Sequence, residues 1–415
     1  MSTPTTGSST EASPTPPSED HPEEQTKHGP SGQAALLRQV ASSPAVVGLL
    51  AVLTALILSS ILILAADSEV RYTATYLLNR PGDFLHATAS TLSEAYSSLL
   101  RGAILDWRAT TTMRMIRPIT DTLTNATPLI IAGLGMAVAF RAGLFNIGGQ
   151  GQMILGAITA CYVGIAWNLP PVAHLLVAVV GAALGGLVWG GIAGVLKART
   201  GANEVIVTIM LNSIAAHLLS QVLSLKAFNG EGETGNRKSL TVADAAQYPS
   251  LAGDSFRLHA GFLLALLVAV AVWWLMERSR LGFQLRATGL NADAARTAGM
   301  SVPWVTSLVM MISGALCGLA ATAPVLGTQK SMDESVVGTI GFVGLIAPHA
   351  ARSMVGEDHR YSLPLAAVIG AVILVGASVF GKFISPAAVI PVGIITAVAG
   401  VPMLFAIIAR RGNEG

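Results

Sequence analysis

The feature that most constrains this chain is a series of apolar runs, each about as long as a membrane is thick. The first extends from Ala45 to Ala66 without a charged residue, and a helix of roughly 20 apolar residues crosses the hydrocarbon core of a bilayer. Hydrophobic residues make up 52% of the 415 residues and charged residues 12%, whereas a soluble domain carries about a quarter charged residues. We therefore predict an all-α integral membrane protein.

Further apolar runs of similar length follow, and together with the first they predict about ten transmembrane helices. They cover Leu123 to Phe140, Met153 to Trp167, Ala173 to Leu196, Val205 to Leu225, Ala260 to Met276, Val305 to Val325, Val336 to Ala351, Leu363 to Phe380 and Ala388 to Ala409. Residues 1–40 are rich in Pro, Ser, Thr and Glu and predict a disordered cytoplasmic tail. Residues 41–415 form the transmembrane domain, and the first run is too long and too late for a cleaved signal peptide.

Basic residues recur in every second connection between the runs, which makes those connections and both termini cytoplasmic. They are Lys197 and Arg199; Arg278, Arg280, Arg286 and Arg296; Arg352 and Arg360; and Arg410 and Arg411. Residues 67–121 depart from this pattern, because they fall on the external side and still carry six arginines. An amphipathic surface helix would account for them.

Most chemical functions lack the residues that they require. A net charge of +2 gives no reason to expect a nucleic-acid partner. The two cysteines, Cys161 and Cys317, have no metal-ligand spacing and fit small residues that face lipid or another helix. GASVFGKF resembles a phosphate loop but has Phe383 where a hydroxyl must bind magnesium. We therefore predict no catalytic residue, no metal and no cofactor on this chain.

Ionisable groups inside the apolar runs are rare, which disfavours an ion-coupled carrier. His217 is the one candidate in the middle of a run, and a hydrogen bond to a neighbouring helix is the simpler interpretation. Glu204 begins the same run, where an acid favours a helix N-terminus without any further function. In a different run, the repeated glycines between Gly181 and Gly194 predict close packing of helix backbones.

Two cytoplasmic segments are candidate handles for another protein. In the first, ADAARTAGM predicts a short helix capped by Asn291 and ended by Gly299, and an ordinary turn-helix linker is the alternative. The second is GFVGLIAPHAARSMVGEDHR, residues 341–360. A metal site there would use His349, Glu357, Asp358 and His359, but the three vicinal residues diverge on a helix. No pocket or nucleophile marks an acid/base site, so docking is favoured.

Several stretches resemble a known family in order along the chain. ATPLIIAGLGMAVAFRAGLFNIGGQGQMILGA, LKARTGANEVIVTIMLN, LGFQLRATGLNADAARTAGMS and MISGALCGLA resemble permeases of bacterial ATP-binding cassette importers for nucleosides and simple sugars, over residues 122–338. GFVGLIAPHAARSMVGEDHRYSLP and PVGIITAVAGVPMLFAIIARR resemble permeases for ferric siderophores, haem and cobalamin, over residues 341–411. The chain therefore resembles a hybrid of two related branches.

The resemblance implies the fold of a type II importer permease and a set of partners. These are ABC ATPase subunits that bind ATP, a second permease in a homo- or heterodimer, an extracytoplasmic substrate-binding lipoprotein and membrane lipid, in the bacterial cytoplasmic membrane. It also implies that two cytoplasmic segments dock on the ATPases. The residues concerned are Ala292, Ala294, Ala295, Arg296, Gly299, Pro348, His349, Arg352, Gly356 and Asp358.

The turn GLFNIGGQGQ belongs to the signature core of the nucleoside-type family. Its glycines suit a broken helix that lines the translocation pathway, and tight packing is the alternative. The pathway candidates are Asn146, Gly148, Gly149, Gln150, Glu204 and Asn212. We expect a non-enzymatic importer permease for nucleosides or simple sugars. A ferric siderophore, haem or cobalamin importer is the close alternative, an ion-coupled secondary transporter is the rival from another class, and a membrane enzyme is a distant third.

Overall fold

A computed structural model describes residues 44–229, 237–253 and 255–334, and these residues are nearly all helical. The helices are α1 (Pro44–Ala66), α2 (Ser68–Ala74), α3 (Pro81–Ala103), α4 (Thr112–Arg141), α5 (Gly149–Ala166), α6 (Pro171–Thr200), α7 (Glu204–Ser224), α8 (Gly261–Arg278), α9 (Arg280–Leu290), α10 (Ala292–Thr297) and α11 (Val302–Ala320). A 3₁₀ turn covers Asp244–Ala246 and a π-helical turn covers Ala323–Thr328. Three isolated β-bridges, and no longer strand, occur in this part of the chain.

Five helices in the described part are long and apolar enough to cross a membrane. They are α4, α6, α7, α8 and α11 with the π-helical turn that follows it. The end of α1 and α2 form a pair bent by 78°, which supplies a sixth span if the pair crosses as one. This confirms an all-α multi-pass membrane protein. The predicted spans Val336 to Ala351, Leu363 to Phe380 and Ala388 to Ala409 lie outside the described residues.

The α4 helix begins earlier than the apolar pattern indicates. The sequence predicts a span from Leu123, whereas α4 starts at Thr112, whose neighbour Thr111 accepts a hydrogen bond from the Arg114 backbone N–H. The added segment carries charged residues that hide it from a hydropathy pattern. The amphipathic helix expected in residues 67–121 is α3, and its Tyr96 hydroxyl lies 2.6 Å from the Ser60 hydroxyl of α1.

Glycines bring α6 and α11 into backbone contact at the centre of the bundle. A methyl group on Gly314 would overlap the Gly186 carbonyl, and a methyl group on Gly190 would overlap the Met310 carbonyl. Such close approach replaces the hydrophobic driving force that helices lack in lipid. The close backbone packing predicted for residues 181–194 is therefore confirmed, and α5 is largely buried against this pair.

Both cysteines are fully buried between helices, so they face protein and not lipid. Cys161 lies in α5, with its sulfur 3.3 Å from the Ser239 hydroxyl. Cys317 lies in α11, where its sulfur is close to Gly135 of α4. They act as small packing residues.

The loop between α7 and α8 covers the π-helical turn that follows α11. The Tyr248 hydroxyl lies 2.8 Å from the Thr322 hydroxyl. The Tyr248 ring stacks on the His259 ring, with centroids 5.4 Å apart. The His259 ring packs directly on Gly327, where a side chain would collide with it. His259 is only 3% exposed, and its Nδ1 accepts a hydrogen bond from the Gly261 N–H.

Candidate functional sites

The turn between α4 and α5 is held by a buried amide network. The Asn146 amide nitrogen donates to the Gln152 carbonyl oxygen at 2.8 Å and to the Ser313 hydroxyl at 2.7 Å. The Asn146 carbonyl oxygen accepts from the Gly148 N–H at 3.0 Å and from Gln152 at 3.0 Å. Ser313 in turn donates to the Gly135 carbonyl of α4. Asn146 is 2% exposed, so its hydrogen-bonding groups are committed to holding the turn.

A second set of contacts ties the start of α5 to α7 and α6. The Asn212 carbonyl oxygen accepts from the Gly151 N–H at 2.8 Å, and its amide donates to the Ile147 carbonyl at 2.9 Å. The indole nitrogen of Trp189 also lies close to Gly151, and it has no hydrogen-bond partner in the described part of the chain. Gly148 and Gly149 are buried, whereas Gln150 and Asn212 are half-buried. Of the predicted pathway residues on this turn and α7, these last two are the ones that remain partly exposed.

Glu204 lies at the start of α7 and forms an ion pair with the end of α6. Its carboxylate is 2.7 Å from the Lys197 ammonium, and the residue is 8% exposed. Asn203 caps the same helix by accepting a hydrogen bond from the Val205 N–H. The pair closes the short turn between the two helices, which gives Glu204 a structural role beside the pathway role predicted for it.

The second half of one face of α7 is polar although it lies in the apolar part of the molecule. Ser213, His217 and Gln221 follow each other at four-residue spacing and all three are exposed. Residues four apart share one face of a helix. No hydrogen bond joins the His217 ring to another described residue, so the expected bond to a neighbouring helix is not found within this part. The sequence pattern singled out His217 but not the stripe to which it belongs.

The loop between α8 and α11 contains the short capped helix that the sequence predicts. The Asn291 side chain accepts hydrogen bonds from the Asp293 and Ala294 N–H groups and so caps α10, and Gly299 ends the segment with a φ of +83°. Ala292, Ala294 and Arg296 are exposed, whereas Ala295 is 3% exposed and anchors the helix.

Leu290, which directly precedes the Asn291 cap, was not among the residues predicted from the sequence. Leu290 is the last residue of α9 and is 89% exposed. Its signal in the sequence is its place between a glycine and the helix cap.

An ionic contact links this loop to the transmembrane helices. Glu277, near the end of α8, accepts a hydrogen bond from Arg141 at the end of α4, 3.1 Å away. Arg286 of α9 lies 3.9 Å from the other Glu277 oxygen. Gly143 and Gly289 also allow the α4–α5 turn to pack closely against α9. A side chain on Gly289 would overlap the Arg141 carbonyl. These contacts join α9 to the ends of α4 and α8.

The second predicted docking segment lies outside the described residues. It comprises Pro348, His349, Arg352, Gly356 and Asp358, and its docking role stays a prediction. Within residues 44–229, 237–253 and 255–334, no group of three or more His, Cys, Asp or Glu side chains could hold a metal ion.

Comparison with known proteins identifies the family. Residues 119–407 match the family described as branched-chain amino acid transport system / permease component. The guanosine ABC transporter permease protein of Bacillus subtilis (strain 168) is 38% identical over 258 residues, which cover 62% of this chain and 72% of the relative. The glucose ABC transporter permease protein of Haloferax volcanii is 34% identical over 319 residues, 71% of this chain and 81% of the relative.

Shorter matches belong to another branch. A permease protein of the Fe(3+)-citrate import system of Bacillus subtilis (strain 168) is 54% identical over 68 residues, 16% of this chain and 20% of the relative. The inward-facing structure of a metal-chelate type ABC transporter aligns over 76% of this chain and 96% of its own, with 18% identity and a TM-score of 0.42. The family match covers more than half of the sequence, and the chain belongs to the family of branched-chain amino acid transport system permease components.

Proposed function

We propose that this chain is the membrane permease of an ATP-driven importer whose cargo is a nucleoside or a simple sugar. The observation that carries this proposal is its similarity to the guanosine and glucose permeases over most of their length. The complex would contain ATPase subunits that bind the ATP, a second permease and an extracytoplasmic binding lipoprotein. It would lie in the bacterial cytoplasmic membrane with both termini of this chain in the cytoplasm.

The α10 helix is the surface that we assign to the ATPase. It is a single short helix whose capped start and glycine end fix its shape, and its small exposed side chains allow a partner to approach closely. Leu290 beside it offers an apolar anchor at the centre of such a contact. Arg296 adds a charge that is held by Asp293 at 2.8 Å.

Two substitutions test this assignment in the purified complex. Leu290→Asp and Arg296→Glu should each reduce recovery of the ATPase with the solubilised permease by about tenfold or more, as expected for an anchor at an interface core. Leu251→Asp and Arg257→Glu, which change exposed residues of the external loop, are the matched controls and should leave recovery unchanged. Unchanged recovery with all four variants would contradict docking through α10.

The polar stripe on α7 is the surface that we assign to the cargo pathway. Polar side chains exposed on a transmembrane helix are costly against lipid and favourable along a water-filled cavity. Ser213, His217 and Gln221 also offer both donors and acceptors for cargo hydroxyl groups. Toward the start of α7 the same face carries Ile206 and Met210, so the stripe occupies the second half of the helix.

Uptake of labelled guanosine and glucose in cells that lack the chromosomal copy tests both cargo and pathway. His217→Ala should raise the KM of the transported compound several-fold, because the variant removes cargo hydrogen bonds. Leu218→Ala on the adjacent face is the control and should leave the KM unchanged. Equal behaviour of the two variants would remove the stripe from the pathway.

An iron(III) chelate is the second candidate cargo, favoured by the short match to the Fe(3+)-citrate permease. Uptake of labelled iron citrate that depends on this gene, without uptake of guanosine or glucose, would select it.

A further inference from the structure

The corner between α3 and α4 combines exposed apolar side chains with arginines, and the transport function does not require this combination. It comprises residues 99–117 and precedes the part of the chain that matches the permease family, which starts at residue 119. Its exposed apolar side chains are Leu99, Ile104, Trp107 and Met113, all between 51% and 57% exposed. Its basic side chains are Arg101, Arg108, Arg114 and Arg117.

Two arginines of the corner have guanidinium groups without an ion-pair partner in the part of the chain that the structure describes. Arg101 bonds to the Ser98 hydroxyl, and Arg117 lies 3.6 Å from Asp121. Arg108 and Arg114 are exposed, and neither forms an ion pair with a carboxylate among the residues that the structure describes. Asp106, the one acid between them and α3, accepts a hydrogen bond from the Arg108 backbone N–H. The corner therefore presents unneutralised positive charge.

The corner lies at the external end of α4. The opposite end of this helix, Arg141, bonds to Glu277 beside the basic cytoplasmic loop. A helix of 30 residues is about 45 Å long, which exceeds the roughly 30 Å of hydrocarbon. Its first turns therefore project through the external interface. Arginines accumulate on the cytoplasmic side in most membrane proteins, so their retention here calls for a ligand.

We propose that residues 99–117 bind anionic phospholipid headgroups in the outer leaflet of the membrane. Trp107 and Ile104 would enter the boundary between headgroups and acyl chains, where an indole ring is favoured. Arg108 and Arg114 would bind phosphate, for which the planar guanidinium supplies paired donors. The corner also lies at the periphery of the helix bundle, since α3 packs on α1, α2 and α4 within the described residues.

The large apolar share of this surface favours lipid over a soluble protein partner. A protein docking on the pathway would contact the bundle of α4, α5, α6, α7 and α11, whereas the corner joins the start of α4 to α3, which packs mainly on α1, α2 and α4 in the described part of the chain. The acidic face of a binding lipoprotein is the alternative occupant, and the experiment separates the two.

Full-length permease, stripped of lipid in detergent, is titrated with phosphatidylglycerol and with phosphatidylcholine, and bound lipid is counted by native mass spectrometry. The double variant Arg108→Gln/Arg114→Gln should weaken phosphatidylglycerol binding by about tenfold and leave phosphatidylcholine binding unchanged. Trp107→Ala should weaken both lipids, because it removes the apolar contact. The control Lys226→Gln/Arg257→Gln removes two exposed external charges elsewhere and should have no effect.

Equal phosphatidylglycerol affinity in the wild type and the corner double variant, both with unchanged melting temperatures, would overturn the proposal. A double variant that binds both lipids normally and loses affinity for the system's purified binding lipoprotein would overturn it in favour of protein docking. The proposal does not depend on the cargo, since lipid binding is measured without transport.

Discussion

Glu277 near the end of α8 and Arg141 at the end of α4 are joined by a hydrogen bond of 3.1 Å, although they lie 136 residues apart in the chain. Both side chains are about half exposed, at 45% and 57%, and exposed ion pairs contribute about 0 to 1 kcal/mol to stability. The contact is of interest because of the elements that it connects. It joins the ends of α4 and α8, and Arg286 of α9 lies 3.9 Å from the same Glu277 side chain.

Neutralising this contact should impair transport more than folding. Glu277→Gln is expected to lower the transport rate several-fold and to change the free energy of unfolding by less than about 1 kcal/mol. Glu94→Gln, at an exposed acid of α3, is the control and should alter neither quantity. ATP-driven uptake in proteoliposomes and thermal unfolding measure the two effects, and a transport rate equal to that of the control would refute a coupling role.

The buried amide network should matter for stability and not for cargo recognition. Asn146→Ala leaves the Gly148 N–H and the Gln152 side chain without their partner, which should cost about 3 kcal/mol. Asn79→Ala, at an exposed turn, should cost almost nothing. Thermal unfolding of the two variants in detergent checks this, and a stable Asn146→Ala protein with an altered cargo KM would place Asn146 in the pathway.

The contact between α6 and α11 should not tolerate a single methyl group. Gly314→Ala would push against the Gly186 carbonyl and is expected to cost about 1–3 kcal/mol through overpacking. Gly133→Ala in α4, where a methyl group meets nothing within 4 Å, should leave stability the same or slightly higher. Equal melting temperatures for both variants would show that the helices can separate without loss.

The loop between α7 and α8 should lose stability in acid because of His259. Burial, with a smaller contribution from the nearby Arg257 charge, lowers the pKa of His259 to about 4. The aromatic ring that stacks on His259, Tyr248, is neutral in this pH range, since burial raises its pKa to about 12. An unfolded histidine has a pKa of about 6.5, so the unfolded chain is protonated first as the pH falls. Stability is therefore complete above about pH 6.5 and declines down to about pH 4, by about 3 kcal/mol in total.

His259→Phe tests this pH dependence. Phenylalanine keeps the stacking on Tyr248 but gives up the hydrogen bond from the Gly261 N–H. The variant should therefore be less stable at pH 7, and its stability should change less between pH 6.5 and 4. His86→Gln, at an exposed histidine of α3, should keep the wild-type pH profile. A wild-type protein whose melting temperature does not fall between pH 6.5 and 4 would contradict the role of His259.

Local patterns predicted much of this structure. The apolar runs placed α6, α7 and α8 within a few residues of their bounds, because hydrocarbon thickness fixes the length of a span. Asn291 and Gly299 predicted the start and the end of α10, since capping depends only on neighbouring residues.

Contacts between distant residues could not be predicted in this way. Asn146 and Ser313 are 167 residues apart, and only the folded bundle brings them together. The polar stripe of α7 was missed because exposure of Ser213 and Gln221 depends on which neighbours cover the other faces of the helix. The early start of α4 was missed because Arg114 and Arg117 interrupt the apolar run, although they extend the same helix.

Uptake of labelled guanosine and glucose by cells with controlled ATP and membrane potential tests the central claim most directly. An ATP-driven importer predicts uptake that continues when an uncoupler collapses the proton gradient while ATP is maintained, and that stops when ATP is depleted. Uptake that stops with the uncoupler and continues without the ATPase would contradict this account and identify an ion-coupled carrier.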